Sequence, residues 1–302
     1  MKPMEILNIP YFDLAQTAQS GQCFRLDRLP SGPPGTWRLI SGRRYAEIRQ
    51  EQNTFFLDCP PGDLAFWRHY LDADTDYGAF LSAVRPDDPY LREAAAAGCG
   101  IRILRQDPWE MIITFLISQQ KTIPAIRNAV ETLSTLYGTA FTAVLEDGRC
   151  ELCHAFPTPA ELSRASEADL RTLKLGYRAA YLEQACRFFC EHPGALCELG
   201  RMDRSQAMEF LTGLYGVGVK VASCVCLYGL HHIDAFPVDT WIRRILMEQY
   251  YPRHPRRYGR LPESRRAEAI IRDFFGCYDG FAGVMQQYIF YYERVVRRGR
   301  KT

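Results

Sequence analysis

Apolar positions change their period about a third of the way along the chain. In "TWRLISGRRYAEIRQ" and "NTFFLDC", aromatic and branched residues partly alternate with polar ones and are set apart by turn-prone residues, a pattern that predicts antiparallel strands. A strand is also expected over residues 22–29, ahead of the loop "PSGPPG". From Asp63 the spacing becomes helical, through "DLAFWRHYLDA", "YGAFLSAV" and "YLREAAAAG". Asp107-Pro108 is a helix start, an Asx N-cap with proline at the first helical position. The helix it opens, "WEMIITFLISQQ", is apolar on most faces and is expected to be buried.

Further helices follow. Ile123, Ile126, Val130 and Leu133 recur at helical spacing until Gly138. Ser166 and Asp169 open a short helix, and "GYRAAYLEQACRFFC" starts another. Two more flank the stretch "LYGVG", over residues 204–213 and 218–230, and Asp239 precedes "TWIRRILMEQYY". The fold class predicted is α+β. A small N-terminal domain with an antiparallel sheet, residues 1–104, precedes a mostly α-helical domain, residues 105–302.

Composition narrows this picture little. With 47% hydrophobic and 24% charged residues, the chain is ordinary for a globular protein. Its N-terminus lacks the apolar core of a signal peptide, and no uncharged run is long enough for a membrane span. A cytoplasmic protein is expected, nucleoid-associated in a prokaryote, a monomer, with no membrane partner. Eleven scattered cysteines then read as reduced thiols. Cys150-x2-Cys153-His154 lacks a second close pair at a standard interval, so no metal and no other cofactor is expected.

Charge is uneven. Residues 243–302 carry 14 Lys and Arg against 6 Asp and Glu, a net of +8 in a chain whose total is +2, which leaves −6 for the other 242 residues. A basic C-terminal region fits a polyanionic partner such as nucleic acid, or simply a solubilising surface.

The strongest local anomaly is "LYGVGVKVASC", residues 214–224. Gly216 and Gly218 permit a sharp turn and close approach of a partner, and the amides that begin the next helix can hold one phosphate. A plain packing turn accounts equally well for the glycines. Lys220 stands in the first helical turn, the wrong end of the helix dipole for a cation, among Val217, Val219, Val221 and Ala222. Both the dipole and the apolar setting penalise the ammonium form, which favours a nucleophilic neutral amine. The plain alternative is a lysine that snorkels to solvent or phosphate. Asp239, a natural N-cap, can be brought back beside it. The helix is roughly 18 Å long, and the nine or so residues after it can span up to about 30 Å. A carboxylate there could take the lysine's proton and stabilise a cationic sugar.

These residues resemble a known family. "LYGVGVKVASCVCL…AFPVDTW" is similar to the helix–hairpin–helix DNA glycosylases, and most closely to their lysine-bearing 8-oxoguanine branch. "SGQCFRL", "DPWEMIITFLISQQ", "LGYRAAYL" and "AGVMQQYIF" follow in the family's order, so the resemblance spans nearly the whole chain.

The resemblance implies excision of 8-oxoguanine from double-stranded DNA after the nucleotide is flipped out, with an associated lyase step. It makes Lys220 the nucleophile and Asp239 the assisting carboxylate. It gives Gly21 the carbonyl that accepts the lesion's extra N–H, Gln286 the base's pairing edge, and Phe290 and Cys224 its two faces. Tyr177 becomes the wedge beside the opposite base, Arg178 a contact to that base and Gln120 the gap filler, while Gly216 and Gly218 shape the DNA-binding hairpin. Two departures stand out. Ala125 falls where an arginine reading the opposite cytosine is expected, with Arg127 nearby, and Trp241 replaces a histidine that contacts phosphate. Only Cys277 lies beyond Cys226, so no iron–sulfur cluster is expected. A glycosylase for another damaged purine and a non-catalytic binder of damaged DNA are the alternatives.

Overall fold

The computed structural model of the chain describes residues 5–30, 34–60, 62–145 and 148–297. The middle of "PSGPPG", residues 31–33, and the basic end after Arg297 lie outside the described residues. Five strands form one antiparallel sheet: β1 (Glu5–Asn8), β2 (Leu26–Arg28), β3 (Thr36–Ser41), β4 (Arg44–Glu51) and β5 (Thr54–Asp58), in the order β1-β5-β4-β3-β2. The strand expected over 22–29 is shorter than that span. Gln22 instead turns its amide inward to bridge Arg102 O and Leu104 N. β1 gave no readable sequence signal, being only four residues long.

The partial alternation in β3 and β4 has a cause. Leu39, Ala46, Ile48, Phe55 and Leu57 face one core with Phe12 and Trp67. On the opposite side Ile40 and Tyr45 are also buried, against a second hairpin that the helical reading of the later chain missed. That hairpin pairs β6 (Ala140–Val144) with β7 (Cys150–His154). Its apolar Val144 and Leu152 face solvent, so its residues do not alternate by polarity. Arg149 clamps it to the sheet through two bonds to buried Glu47, at 3.0 and 2.9 Å.

Helices account for the rest. Pro108–Ser118 is buried along nearly its whole length, as its composition predicts, and Asp107 caps it by accepting from Glu110 N at 2.8 Å. The large core draws on both halves of the chain. Tyr77 and the helix Pro89–Ala97 pack in it with the C-terminal helix Ala282–Tyr291. Tyr90 donates to Glu293 at 2.9 Å and Tyr292 to Glu93 at 2.7 Å, pinning the C-terminal segment to the earlier helix. Among the described residues no helix is long and apolar enough to cross a membrane.

One buried acid makes stability depend on pH. Glu110 is 7% exposed, and burial pushes its carboxyl up to about 7, against a smaller downward pull from Arg25. A raised folded-state value means that the folded chain holds a proton the unfolded chain has released. Its contribution is therefore full below about pH 4.5 and lost as pH rises through about 7. Glu110→Gln, which stays neutral, should gain on the wild type by on the order of 2–3 kcal/mol at pH 8.5 and little at pH 5, read from denaturant unfolding at both pH values. An equal effect at both would show that the carboxyl does not titrate in this range.

Candidate active site and hairpin

The helix Arg204–Thr212 is capped by Asp203 and ends at Gly213; the helix Val219–Tyr228 begins just past the turn. Between them Gly216 adopts φ +83°, and a Cβ there would meet the Tyr181 ring at 2.3 Å. The turn thus needs glycine twice over, for conformation and for space. Gly218 is the N-cap of the second helix with no side-chain cap, which leaves first-turn amides for an outside acceptor.

Lys220 is half-buried in that first turn. Its Nζ lies 5.3 Å from the centroid of the Phe115 ring, which stacks on Tyr228. One turn along, Cys224 is 4% exposed. Burial pushes its thiol up; the charge of nearby Lys220 draws it down, and that of Asp239 pushes it up again. Lysine, thiol and carboxylate therefore share one small space. Asp239 caps the helix Thr240–Ile245, its Oδ1 accepting from Ile242 N at 2.8 Å. Among the described residues its other oxygen carries no hydrogen bond, and its charge acts on both Cys224 and Arg294.

The N-terminal loop closes the other side. Gly21, at φ +81°, has Phe290 and Arg294 so near that a Cβ would meet them at 3.4 and 3.0 Å. Gln287, buried completely, fixes this loop by donating to Ser20 O at 2.8 Å while accepting from the Tyr228 hydroxyl. Gln286, 4% exposed, leaves its Oε1 without a partner among the described residues. Arg294 lies over the Phe290 ring at 5.1 Å, donates to the Gln19 carbonyl and is close enough to Asp239 to feel its charge. Gly21, Phe290 and the Lys220–Cys224–Asp239 group are thereby linked around one space, although Gly21 is 199 positions from Lys220. Sequence reasoning missed Gln287, Phe115 and Arg294. The doublet "QQ" and the i, i+4, i+8 spacing of 286, 290 and 294 were the available signals.

A second group lies beside the hairpin. Tyr177 is 41% exposed. Gln120 is exposed at φ +52°, a strained conformation for a side chain this size, at the tip between two helices. Arg178 is only 7% exposed, and its guanidinium donates to Gln119 O (2.7 Å from Nε) and Leu175 O (3.2 Å). Arg127 is likewise held, by Asp27. Trp241 stacks with Arg244 at 4.6 Å.

A glycine hairpin feeding a lysine-bearing helix, with a capping aspartate across from it, defines a helix–hairpin–helix base-excision protein. Residues 6–112 match the model of the 8-oxoguanine DNA glycosylase N-terminal domain, and residues 113–259 match the HhH-GPD superfamily of base excision DNA repair proteins. An N-glycosylase/DNA lyase of Saccharomyces cerevisiae is 34% identical over 264 residues, covering 78% of this chain and 68% of the yeast protein. A probable N-glycosylase/DNA lyase of Methanothermobacter thermautotrophicus is 29% identical and covers 88% and 92%. The Clostridium acetobutylicum 8-oxoguanine glycosylase/lyase, solved with double-stranded DNA containing cytosine opposite 8-oxoguanine, superposes with a TM-score of 0.84 at 28% identity, covering 100% of this chain and 97% of that one. This chain belongs to the 8-oxoguanine DNA glycosylase family.

The hairpin geometry yields a stability test. Gly216→Ala meets the Tyr181 ring and a positive φ together and should cost about 1–3 kcal/mol. Gly218→Ala meets nothing within 4 Å and should stay within about 1 kcal/mol in the same unfolding assay. Equal costs would mean that the Tyr181 contact does not constrain the turn.

Proposed function

We propose that this protein excises 8-oxoguanine from duplex DNA with the Lys220 amine as nucleophile and then nicks the resulting abasic strand. The observation that carries this is the Lys220 amine seated beside Phe115 and Cys224, with Asp239 near enough for its charge to act on the same thiol. The Nζ lone pair forms a bond to C1′ of the deoxyribose, and the glycosidic bond breaks with its electrons leaving on the base. Asp239 stabilises positive charge on the sugar and moves the amine's proton. Ring opening gives a Schiff base, and loss of a C2′ proton then expels the 3′ phosphate.

The flipped base is held between Cys224 and Phe290. Gln286 Oε1, a buried acceptor without a donor, costs about 1–3 kcal/mol until an N–H arrives, and a purine pairing edge supplies one. The Gly21 carbonyl takes the N–H that 8-oxoguanine has and guanine lacks. In unmodified guanine an acceptor would face that carbonyl, so a single buried mispairing separates lesion from normal base. The uncapped amides after Gly218 bind a backbone phosphate. Tyr177 wedges beside the opposite base and Gln120 enters the gap.

Opposite-base readout is weak. Ala125 offers no hydrogen bond, while Arg127 and Arg178 spend their guanidiniums on Asp27 and on backbone carbonyls. Arg178 thus supports the Gln119–Gln120 turn from behind. Excision opposite cytosine should exceed that opposite the other three bases by less than about tenfold in single-turnover assays; a preference of a hundredfold or more would refute this. In the same assay Lys220→Gln should lower base release by at least about a thousandfold and Asp239→Asn by roughly a hundredfold or more. Base release at the wild-type rate in Lys220→Gln would overturn the mechanism.

A further inference from the structure

Three tyrosines run from the hairpin to the wedge. Tyr215 stands immediately before Gly216 and is 63% exposed, so it adds little to the core. Its ring meets Tyr181 nearly at right angles, with centroids 5.3 Å apart, and Tyr181 meets Tyr177 in the same way at 5.6 Å. Tyr181 itself sits directly on the Gly216 backbone. A second path closes the circuit. Gln119 donates to Gly216 O at 3.2 Å, Arg178 donates to Gln119 O, and the Arg178 guanidinium lies 4.4 Å over the Tyr177 ring. The turn that grips the backbone and the ring that enters the helix are thus one braced unit.

We propose that Tyr215 is a positioning residue for strand opening: it holds Tyr181, and through it Tyr177, at the wedging angle before DNA arrives. The proposal rests on the DNA glycosylase reading above. A half-exposed tyrosine that must be frozen on binding loses rotamer freedom at that moment, whereas a braced one has already lost it. Edge-to-face pairs of this kind change equilibria by roughly three- to tenfold.

The test uses Tyr215→Ala and Tyr215→Phe in the full chain, each first shown to melt at the wild-type temperature. The substrate is an 8-oxoguanine duplex with 2-aminopurine next to the base opposite the lesion, a probe that brightens when unstacked. Tyr215→Ala should brighten it less and excise roughly three- to tenfold more slowly than wild type. Tyr215→Phe should restore both, because the ring edge makes the contact. On a duplex with a one-nucleotide gap opposite the lesion, where no wedging is needed, Tyr215→Ala should match wild type. Equal losses on paired and gapped duplexes, or no loss on either, overturn the proposal. A wild-type protein that brightens the probe but never releases base would refute the glycosylase reading alone, since the fluorescence comparison still decides the brace.

Discussion

One amine sits beside an aromatic ring and a buried thiol, within reach of a carboxylate's charge, and elements from distant parts of the chain hold it there. Lys220 sits where its helix offers uncapped amides rather than carbonyls and where Phe115 and Cys224 exclude water from one side. The helix Pro108–Ser118 is buried along nearly its whole length, so the ring it presents to the amine is held in the packed core. Asp239 is a cap first. Its backbone duty through Oδ1 fixes the carboxylate, whose charge is felt by Cys224 on the lysine-bearing helix. Local helix chemistry and reaction chemistry thus make the same demand at this position.

The proposed base pocket depends on long-range tethers. Gln287 binds both the loop before Gly21 and the Tyr228 hydroxyl, so the N-terminal segment, the C-terminal helix and the lysine-bearing helix hold one another in place. Gln22 anchors the same loop from the other side, through Arg102 and Leu104. A recognition element made of backbone, as proposed for Gly21, needs this kind of support, because it has no side chain with which to adjust.

Signals confined to a few neighbouring residues were legible in the sequence. Asp107-Pro108, Ser166 with Asp169, and the glycines of the hairpin each marked a boundary the structure has. Lys220 and Asp239 stood out because each broke or obeyed a helix-end rule within one turn. Information carried by partners was not legible. β6 and β7 show solvent-facing Val144 and Leu152, so no period betrays them. Periodicity shows that the helix Pro89–Ala97 has an apolar face, but not that the face meets the C-terminal helix. The resemblance makes Arg178 a contact to the opposite base, and nothing in the sequence tells that the Gln119 carbonyl will occupy it.

The most direct measurement of the central claim is the mapping of the covalent intermediate. The chain contains five lysines, at positions 2, 121, 174, 220 and 301, so an imine reduced by borohydride on an 8-oxoguanine duplex and digested with a protease has few possible addresses. With Lys220 as the nucleophile, mass spectrometry finds the sugar remnant on Lys220. A remnant on Lys121 or Lys174, or on the N-terminal amine, would contradict it.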